Sequence, residues 1–173
     1  MKRQLLICDL DNTLYDWVDY IVTSLYAMLA KTQEITGWDR ETLLNDLKIV
    51  HQRHHDSEHP FALLETELVR KQFGENGQSI AKRSLDEAFH AFNSERKARL
   101  KTFPLVHETL DKLRRSNVAL VAHTEAKFHA VADRLRRLNL IDHFERVFCR
   151  ERSQVQHPDG KSISEWLDDF PVD

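Results

Sequence analysis

An apolar run near the start of the chain ends in two carboxylates, and this run constrains the fold more than any other stretch. Leu5, Leu6 and Ile7 lead into Asp9 and Asp11, which are separated by one residue. Charged side chains cannot continue unpaired into a core, so the pattern predicts a buried strand that stops here. Two like charges this close repel one another unless a cation lies between them, which indicates a divalent metal site.

From residue 17 to about 100 the apolar residues recur at three- and four-residue steps, which predicts helices and no strand. Gly37 is placed to end the first helix and Asp39 to cap the second. A capping box formed by Ser84 and Glu87 predicts the start of a fourth helix. The third helix between them is marked by an apolar stripe of Phe61, Leu64 and Leu68.

The pattern changes again after residue 100. Pro104 is placed to open a helix, and Val118 to Ala122 is the continuous apolar run of a strand covered on both faces. The next helix is predicted to begin at Thr124, with an exposed surface of three arginines: Arg134, Arg136 and Arg137. Val147 to Cys149 is a third strand candidate. This succession predicts an open α/β sheet with right-handed crossovers, interrupted once by a helical insertion.

The apolar strand that runs into Asp-x-Asp-x-Thr, here Asp9, Asp11 and Thr13, resembles the first motif of the haloacid dehalogenase (HAD) superfamily of hydrolases. The second motif of that superfamily is an apolar strand ending in Thr or Ser, which Thr124 matches. In one subgroup a helical cap is inserted directly after the first strand. The resemblance thus implies a Rossmann-like open parallel sheet with an inserted α-helical cap. The core would comprise residues 1–16 and 101–173, and the cap residues 17–100.

The resemblance also implies a chemistry. Asp9 would be the nucleophile that forms an aspartyl-phosphate, Asp11 the general acid and base, and Thr124 a hydrogen-bond donor to the phosphoryl group. A magnesium ion would be held by Asp9 and by Asp11, the latter through its main-chain oxygen. Family members that cleave carbon–halogen bonds lack the second acidic residue, so Asp11 favours a small phosphorylated metabolite as the substrate.

The superfamily also uses a lysine and a late acidic pair, and the chain departs from this pattern. Lys161 is better explained as a loop lysine, Asp168 and Asp169 as a solvated helix end, and Lys127 as an exposed helix residue. Three strands are few for such a sheet. The alternative to a phosphatase is therefore a truncated, inactive HAD-like remnant or a regulatory binding protein. A receiver-like phosphoacceptor module is disfavoured by the large insertion.

Two other groups of residues have more than one interpretation. Four histidines in a polar stretch have metal-ligand spacing, but a solvated helix end is favoured: His51, His54, His55 and His59. Three aromatic residues after the first motif could line a substrate pocket or pack the insertion onto the core: Tyr15, Trp17 and Tyr20. His123, next to Thr124, could point into the site, but a hydrogen bond to the backbone at the end of its strand is favoured.

Composition limits the partners and the compartment. The 25 basic and 28 acidic residues give a net charge of -3, which offers no basic face for nucleic acid. Two cysteines, Cys8 and Cys149, in apolar stretches suit a reducing compartment, so a cytoplasmic location is expected. Only Met1 to Gln4 precede the first predicted strand, so we expect no signal peptide, and no apolar run approaches the roughly 20 residues of a membrane helix. We therefore expect a soluble protein without a membrane partner.

Overall fold

The computed structural model describes residues 3–59 and 61–150, and within it the chain forms two compact units. The first unit contains residues 3–18 and 99–150, and the second contains Asp19–Ala98. Lys161, Asp168 and Asp169 lie outside the described residues. Among the helices that are described, none combines the length and the apolar character that crossing a membrane requires.

The elements alternate as the sequence pattern predicts. In chain order they are β1 (Gln4–Cys8), α1 (Trp17–Thr36), α2 (Arg40–His54), a 3-10 turn (Ala62–Glu65), α3 (Glu67–Phe73), α4 (Gln78–Ser84), α5 (Asp86–Arg99), α6 (Val106–Arg115), β2 (Val118–Lys127), α7 (Phe128–Arg137), a second 3-10 turn (Ile141–His143) and β3 (Arg146–Arg150).

The sheet of the first unit has three described strands in the order β1-β2-β3, all parallel. The register aligns Gln4 with Val118 and Cys8 with Ala122. The predicted α/β class with an open parallel sheet is therefore confirmed. In a parallel sheet the carboxyl ends of all strands meet at one edge, and this edge is where β1 delivers Asp9.

Strand β1 is not buried as the apolar run predicts. Leu5 and Ile7 are 60% and 62% exposed. Strand β1 is an edge strand that pairs, among the described residues, with β2 alone. The apolar residues of β1 are typical of a buried strand, but the exposure of a strand also depends on which other elements lie beside it.

Strand β2 is longer than predicted, because it continues past Ala122 to Lys127. It is the central strand, and β3 offers it partners beyond Ala122: His123 pairs with Phe148 and, after an irregularity, Lys127 pairs with Arg150. Helix α7 therefore begins at Phe128 rather than at Thr124. Lys127 is the last residue of the strand rather than an exposed residue of the helix.

The described residues of the second unit form helices joined by short loops and no strand, as predicted. Its core is a single apolar cluster that includes Leu29, Leu43, Leu47, Leu63 and Leu85. Two boundaries differ from the prediction. In place of the third predicted helix there is a 3-10 turn followed by α3. Thr66 caps the start of α3, because its side chain accepts a hydrogen bond from Val69 N. Ser84 is the last residue of α4, so the predicted capping box at Ser84 is wrong.

The predicted end of α1 and the predicted start of α2 are confirmed. Gly37 follows α1 with a φ of 72°, where a residue without a Cβ is favoured. Asp39 caps α2, because its Oδ2 accepts hydrogen bonds from the backbone N–H and from the hydroxyl of Thr42, each at 2.9 Å.

The cap at Asp39 makes the stability of the second unit depend on pH. The hydrogen bond from Thr42 N is the main cause that lowers the pKa of Asp39 below 3.8. Stabilisation by the charged cap is therefore complete above that value and is lost as the pH falls through the folded pKa. We expect the difference in free energy of unfolding between wild type and Asp39→Ala, measured by urea denaturation, to be smaller at about pH 3 than at about pH 6. Asp39→Asn is the matched control, since its cap does not titrate. If the difference in free energy of unfolding between wild type and Asp39→Ala were the same at both pH values, this account would be wrong.

Candidate active site

The register of the sheet brings the predicted site residues to one edge. Cys8 pairs with Ala122, so Asp9 lies one residue beyond that pair on one strand and Thr124 two residues beyond it on the neighbouring strand. Both positions are at the carboxyl ends of the β1–β2 pairing, where ligands bind in open α/β sheets. This is the arrangement that the two motifs predict.

The turn after β1 is fixed by main-chain hydrogen bonds and by buried leucine. Leu10 is fully buried, and its carbonyl accepts hydrogen bonds from Thr13 N at 3.2 Å and Leu14 N at 2.9 Å. Asn12 adopts a left-handed conformation, with a φ of 57°, which asparagine tolerates better than most residues. Its side-chain oxygen accepts a hydrogen bond from Trp17 N at 3.0 Å and so caps the start of α1. The apolar residues of the motif thus anchor the turn that carries the two carboxylates.

Asp9 is exposed at this turn, and its carboxylate is bound by another residue of the same motif. The Thr13 hydroxyl donates a hydrogen bond to Asp9 Oδ2 at 3.1 Å, which fixes the orientation of the carboxylate. The neighbouring Cys8 is half-buried, and burial raises the pKa of its thiol, as does the charge of Asp9 to a smaller degree. Cys8 therefore stays a neutral thiol near neutral pH, and Asp9 supplies the exposed carboxylate at this end of β1.

Asp11 is held by two donors from inside the first unit. Arg134 Nη1 lies 2.8 Å from Asp11 Oδ1, and the hydroxyl of Tyr15 donates a hydrogen bond to the same oxygen at 2.6 Å. The Arg134 side chain is 0% exposed, whereas Asp11 is 24% exposed. The guanidinium carbon also lies 5.9 Å from the centre of the Tyr15 ring. Burial is the main cause that raises the pKa of Tyr15, so its hydroxyl remains a donor to Asp11.

The prediction that Arg134 lies on an exposed arginine surface is wrong, because its side chain is buried. Its spacing carried a signal, because Arg134 follows Val131 by three residues and precedes Leu138 by four, and so lies on the buried stripe of α7. The stripe is otherwise apolar, and an arginine in it needs an anionic partner. Arg136 and Arg137, which follow it, are exposed as predicted.

The other predicted residues have mixed outcomes. Thr124 is buried, and its Oγ1 accepts a hydrogen bond from Ala126 N at 3.2 Å. His123 is exposed. Tyr15 is buried in the first unit and contacts Asp11, so it is part of the site itself and does not line an open pocket. Trp17 is half-buried, and Tyr20 is buried within the second unit.

The oxygen atoms at this edge suit a hard cation such as Mg²⁺, which binds carboxylate and carbonyl oxygens. The exposed Asp9 carboxylate fits this role. The Asp11 carboxylate already neutralises Arg134, so Asp11 is better suited to contribute its main-chain oxygen than its side chain.

The chain is similar to proteins of known family and to solved structures. The family model described as haloacid dehalogenase-like hydrolase matches residues 6–173. No curated protein matches the chain significantly. Among solved structures, the chain is similar to a 2-haloacid dehalogenase from Pseudomonas syringae, with 26% identity and a TM-score of 0.55 over 86% of this chain and 64% of that one.

Two further structures share the fold at lower identity. A Thermotoga maritima protein designated a β-phosphoglucomutase has 20% identity and a TM-score of 0.53 over 89% of this chain and 63% of that one. YfnB of Bacillus subtilis, designated a HAD-hydrolase and solved with bound magnesium, has 16% identity and a TM-score of 0.50 over 86% of this chain and 66% of that one. The chain spans less than two thirds of each of these three proteins.

Proposed function

Because the chain belongs to the haloacid dehalogenase-like hydrolase family, with the family model covering residues 6–173, we propose that it is a magnesium-dependent phosphomonoester hydrolase. Its substrate would be a small phosphorylated metabolite, and the reaction would pass through an aspartyl-phosphate. The observation that carries this proposal is the pair of carboxylates at the end of β1. Asp9 is exposed and oriented by Thr13, and Asp11 is held nearby in the same turn.

The second carboxylate favours phosphate over halide chemistry. Displacement of a halide needs a nucleophile but no proton for the leaving group, since a halide departs as a stable anion. Displacement of an alkoxide from phosphorus is helped by a proton donor. Arg134 and Tyr15 both bind Asp11, so the first unit maintains a second carboxylate that a dehalogenase would not use.

The proposed reaction has two steps. A carboxylate oxygen of Asp9 attacks phosphorus, the bond between phosphorus and the ester oxygen breaks, and Asp11 gives a proton to the departing alkoxide. Water then attacks the aspartyl-phosphate, Asp11 takes its proton, and phosphate leaves as the Asp9 carboxylate is restored. The Thr124 hydroxyl would donate a hydrogen bond to the phosphoryl group. Asp9 and the main-chain oxygen of Asp11 would hold Mg²⁺, which supplies neutralisation of the charge between the anionic nucleophile and the anionic substrate.

The ion pair with Arg134 bears on which substrates react most readily. A cation beside Asp11 stabilises its charged form, which suits the base of the second step better than the acid of the first. Phosphate esters whose leaving group is stable as an anion need the least help from the acid. An aryl phosphate is therefore the most sensitive probe for turnover.

The same ion pair is the one observation that favours a second candidate, a phosphate-binding protein without turnover. In that case Arg134 would hold Asp11 permanently as an anion and the first step would fail. Release of an aryl alcohol from an aryl phosphate, followed with and without added Mg²⁺, separates the two. Magnesium-dependent release supports the hydrolase, whereas binding of inorganic phosphate without any release supports the binding protein.

A further inference from the structure

A group of three metal-ligating side chains lies in the second unit, within the connection between α2 and α3. It comprises His54 at the end of α2, His59 in the loop and Glu65 in the 3-10 turn. His54 Nε2 lies 2.7 Å from Glu65 Oε2, and His59 Nε2 lies 2.7 Å from Glu65 Oε1. All three ligand atoms lie within 4.8 Å of one another. We refer to these residues as the His-Glu cluster.

The cluster differs from the solvated helix end that the sequence suggests. His55, at the C-cap of α2, is exposed as expected. The side chain of His59, however, is only 3% exposed, and its ring stacks on that of His54 with 3.5 Å between the centroids. Both rings present Nε2 to one carboxylate. The prediction of a solvated stretch is therefore wrong for His59.

We propose that the His-Glu cluster binds a divalent transition-metal ion, with Zn²⁺ as the ion that it suits best. Two imidazole nitrogens and one carboxylate oxygen are a donor set that zinc uses in proteins, whereas Mg²⁺ and Ca²⁺ prefer oxygen donors throughout. The cluster consists of residues of the second unit alone, so it shares no residue with the proposed magnesium site. Three protein ligands leave a fourth position for water.

The ionisation of Glu65 and of the neighbouring His51 suits a cation at the cluster. Burial raises the pKa of Glu65, but the hydrogen bonds and charges of His54 and His59 together lower it, and the net effect is a lowered pKa. Glu65 is therefore available as a carboxylate. Burial is also the main cause that lowers the pKa of the nearby His51, so that side chain stays neutral and does not repel an ion.

Binding requires two local adjustments. The two rings are nearly parallel, with 8° between their planes, so one must tilt before both Nε2 lone pairs point at the same ion. His54 is the ring that can move, because it is exposed at the end of its helix whereas His59 is buried. The Arg53 guanidinium, 3.9 Å from Glu65, is on an exposed side chain that can turn towards solvent.

Metal binding also changes the tautomer of His59. Its Nδ1 is buried without a hydrogen-bond partner among the described residues. The proton of the neutral ring is therefore best placed on Nε2, where Glu65 accepts it. A metal ion on Nε2 would move that proton to Nδ1, which would then be a buried donor without an acceptor among the described residues. The bonds to the metal must therefore outweigh the cost of this change.

The test is calorimetric titration of the full chain with Zn²⁺ in the presence of excess Mg²⁺, which occupies sites built from oxygen donors. Co²⁺ serves as a spectroscopic substitute, because its visible absorption reports nitrogen ligation and coordination number. The variants are His54→Gln and Glu65→Gln, which keep polar side chains of similar size. His90→Gln is the matched control, since His90 is an exposed histidine of α5 in the same unit, paired only with Asp86 among the described residues.

We expect one Zn²⁺ per chain, binding at least about tenfold weaker in both variants and unchanged in His90→Gln. Co²⁺ bound to wild type should show a visible spectrum that either variant loses. Thermal unfolding without metal identifies any variant that fails to fold, and Glu65→Asp then replaces it, because that change shortens the ligand while keeping the carboxylate. Absence of Zn²⁺ binding in wild type, or equal affinity in wild type and both variants, would overturn the proposal. Neither result depends on phosphatase activity.

Discussion

Asp9→Asn is expected to lower the turnover of an aryl phosphate by on the order of 10⁴-fold or more, which is the size of effect seen when a nucleophile is removed from an enzyme. An amide oxygen cannot form the acyl phosphate at a useful rate, because it lacks the negative charge that attacks phosphorus. The amide has the shape of the carboxylate and can still accept the hydrogen bond from Thr13. The turn after β1 should therefore survive, and the loss should appear in kcat rather than in stability.

The matched control for this experiment is Asp142→Asn, which removes one negative charge from an exposed position in the same unit. Its turnover should equal that of wild type. Both variants are compared by urea denaturation, so that a loss of folded protein is not counted as a loss of chemistry. If Asp9→Asn retained a tenth or more of the wild-type kcat, Asp9 would not be the nucleophile, and the proposed aspartyl-phosphate would be wrong.

The parts of the fold that were predictable depend on local sequence. The turn of Asp9 to Thr13, the end of α1 at Gly37 and the cap at Asp39 all follow from a few consecutive residues. Their conformations are set by hydrogen bonds that those residues make with their own neighbours. The alternation of helix and strand was predictable for a similar reason, since periodicity is a local property.

The parts that were not predictable depend on partners distant in the chain. Strand β2 continues beyond Ala122 because β3 lies beside it, and β1 is exposed because of its place in the sheet. The burial of Arg134 depends on Asp11, which is 123 residues away. Glu65, the centre of the His-Glu cluster, is recognisable only when the connection between α2 and α3 has folded.

The difference between local and distant contacts also explains why the site includes residues that belong to neither motif. The motifs supply Asp9, Asp11, Thr13 and Thr124, each at a strand end or in the turn that follows it. The residues that orient Asp11 come instead from a buried tyrosine and a buried helix position, and neither belongs to a motif. In this chain the motifs provide the side chains at the sheet edge, whereas the environment of Asp11 is set by residues packed behind that edge.

Arg134→Met should reduce the free energy of unfolding by about 3 kcal/mol, because removing one member of a buried ion pair leaves its partner with less compensation. Helix α7 contains its own control for this change. Arg137 Nε contacts Asp133 Oδ1 at 2.8 Å, the same distance as in the Arg134–Asp11 pair, but the Arg137 side chain is 40% exposed. Because solvent screens that pair, Arg137→Met should cost less than about 1 kcal/mol.

A double-mutant cycle assigns the part of this cost that belongs to Asp11. Arg134→Met, Asp11→Asn and the double variant are unfolded in urea under one set of conditions, and the coupling energy between the two positions should be about 2 kcal/mol. This measurement is needed because Arg134 also contacts the Tyr15 ring, which contributes to the single-variant result. Equal losses for Arg134→Met and Arg137→Met, together with a coupling energy near zero, would show that burial does not strengthen the pair. Asp11 would then be held in the site by Tyr15 rather than by Arg134. Since the preference for substrates with stable anionic leaving groups was inferred from the ion pair with Arg134, that preference should then be absent.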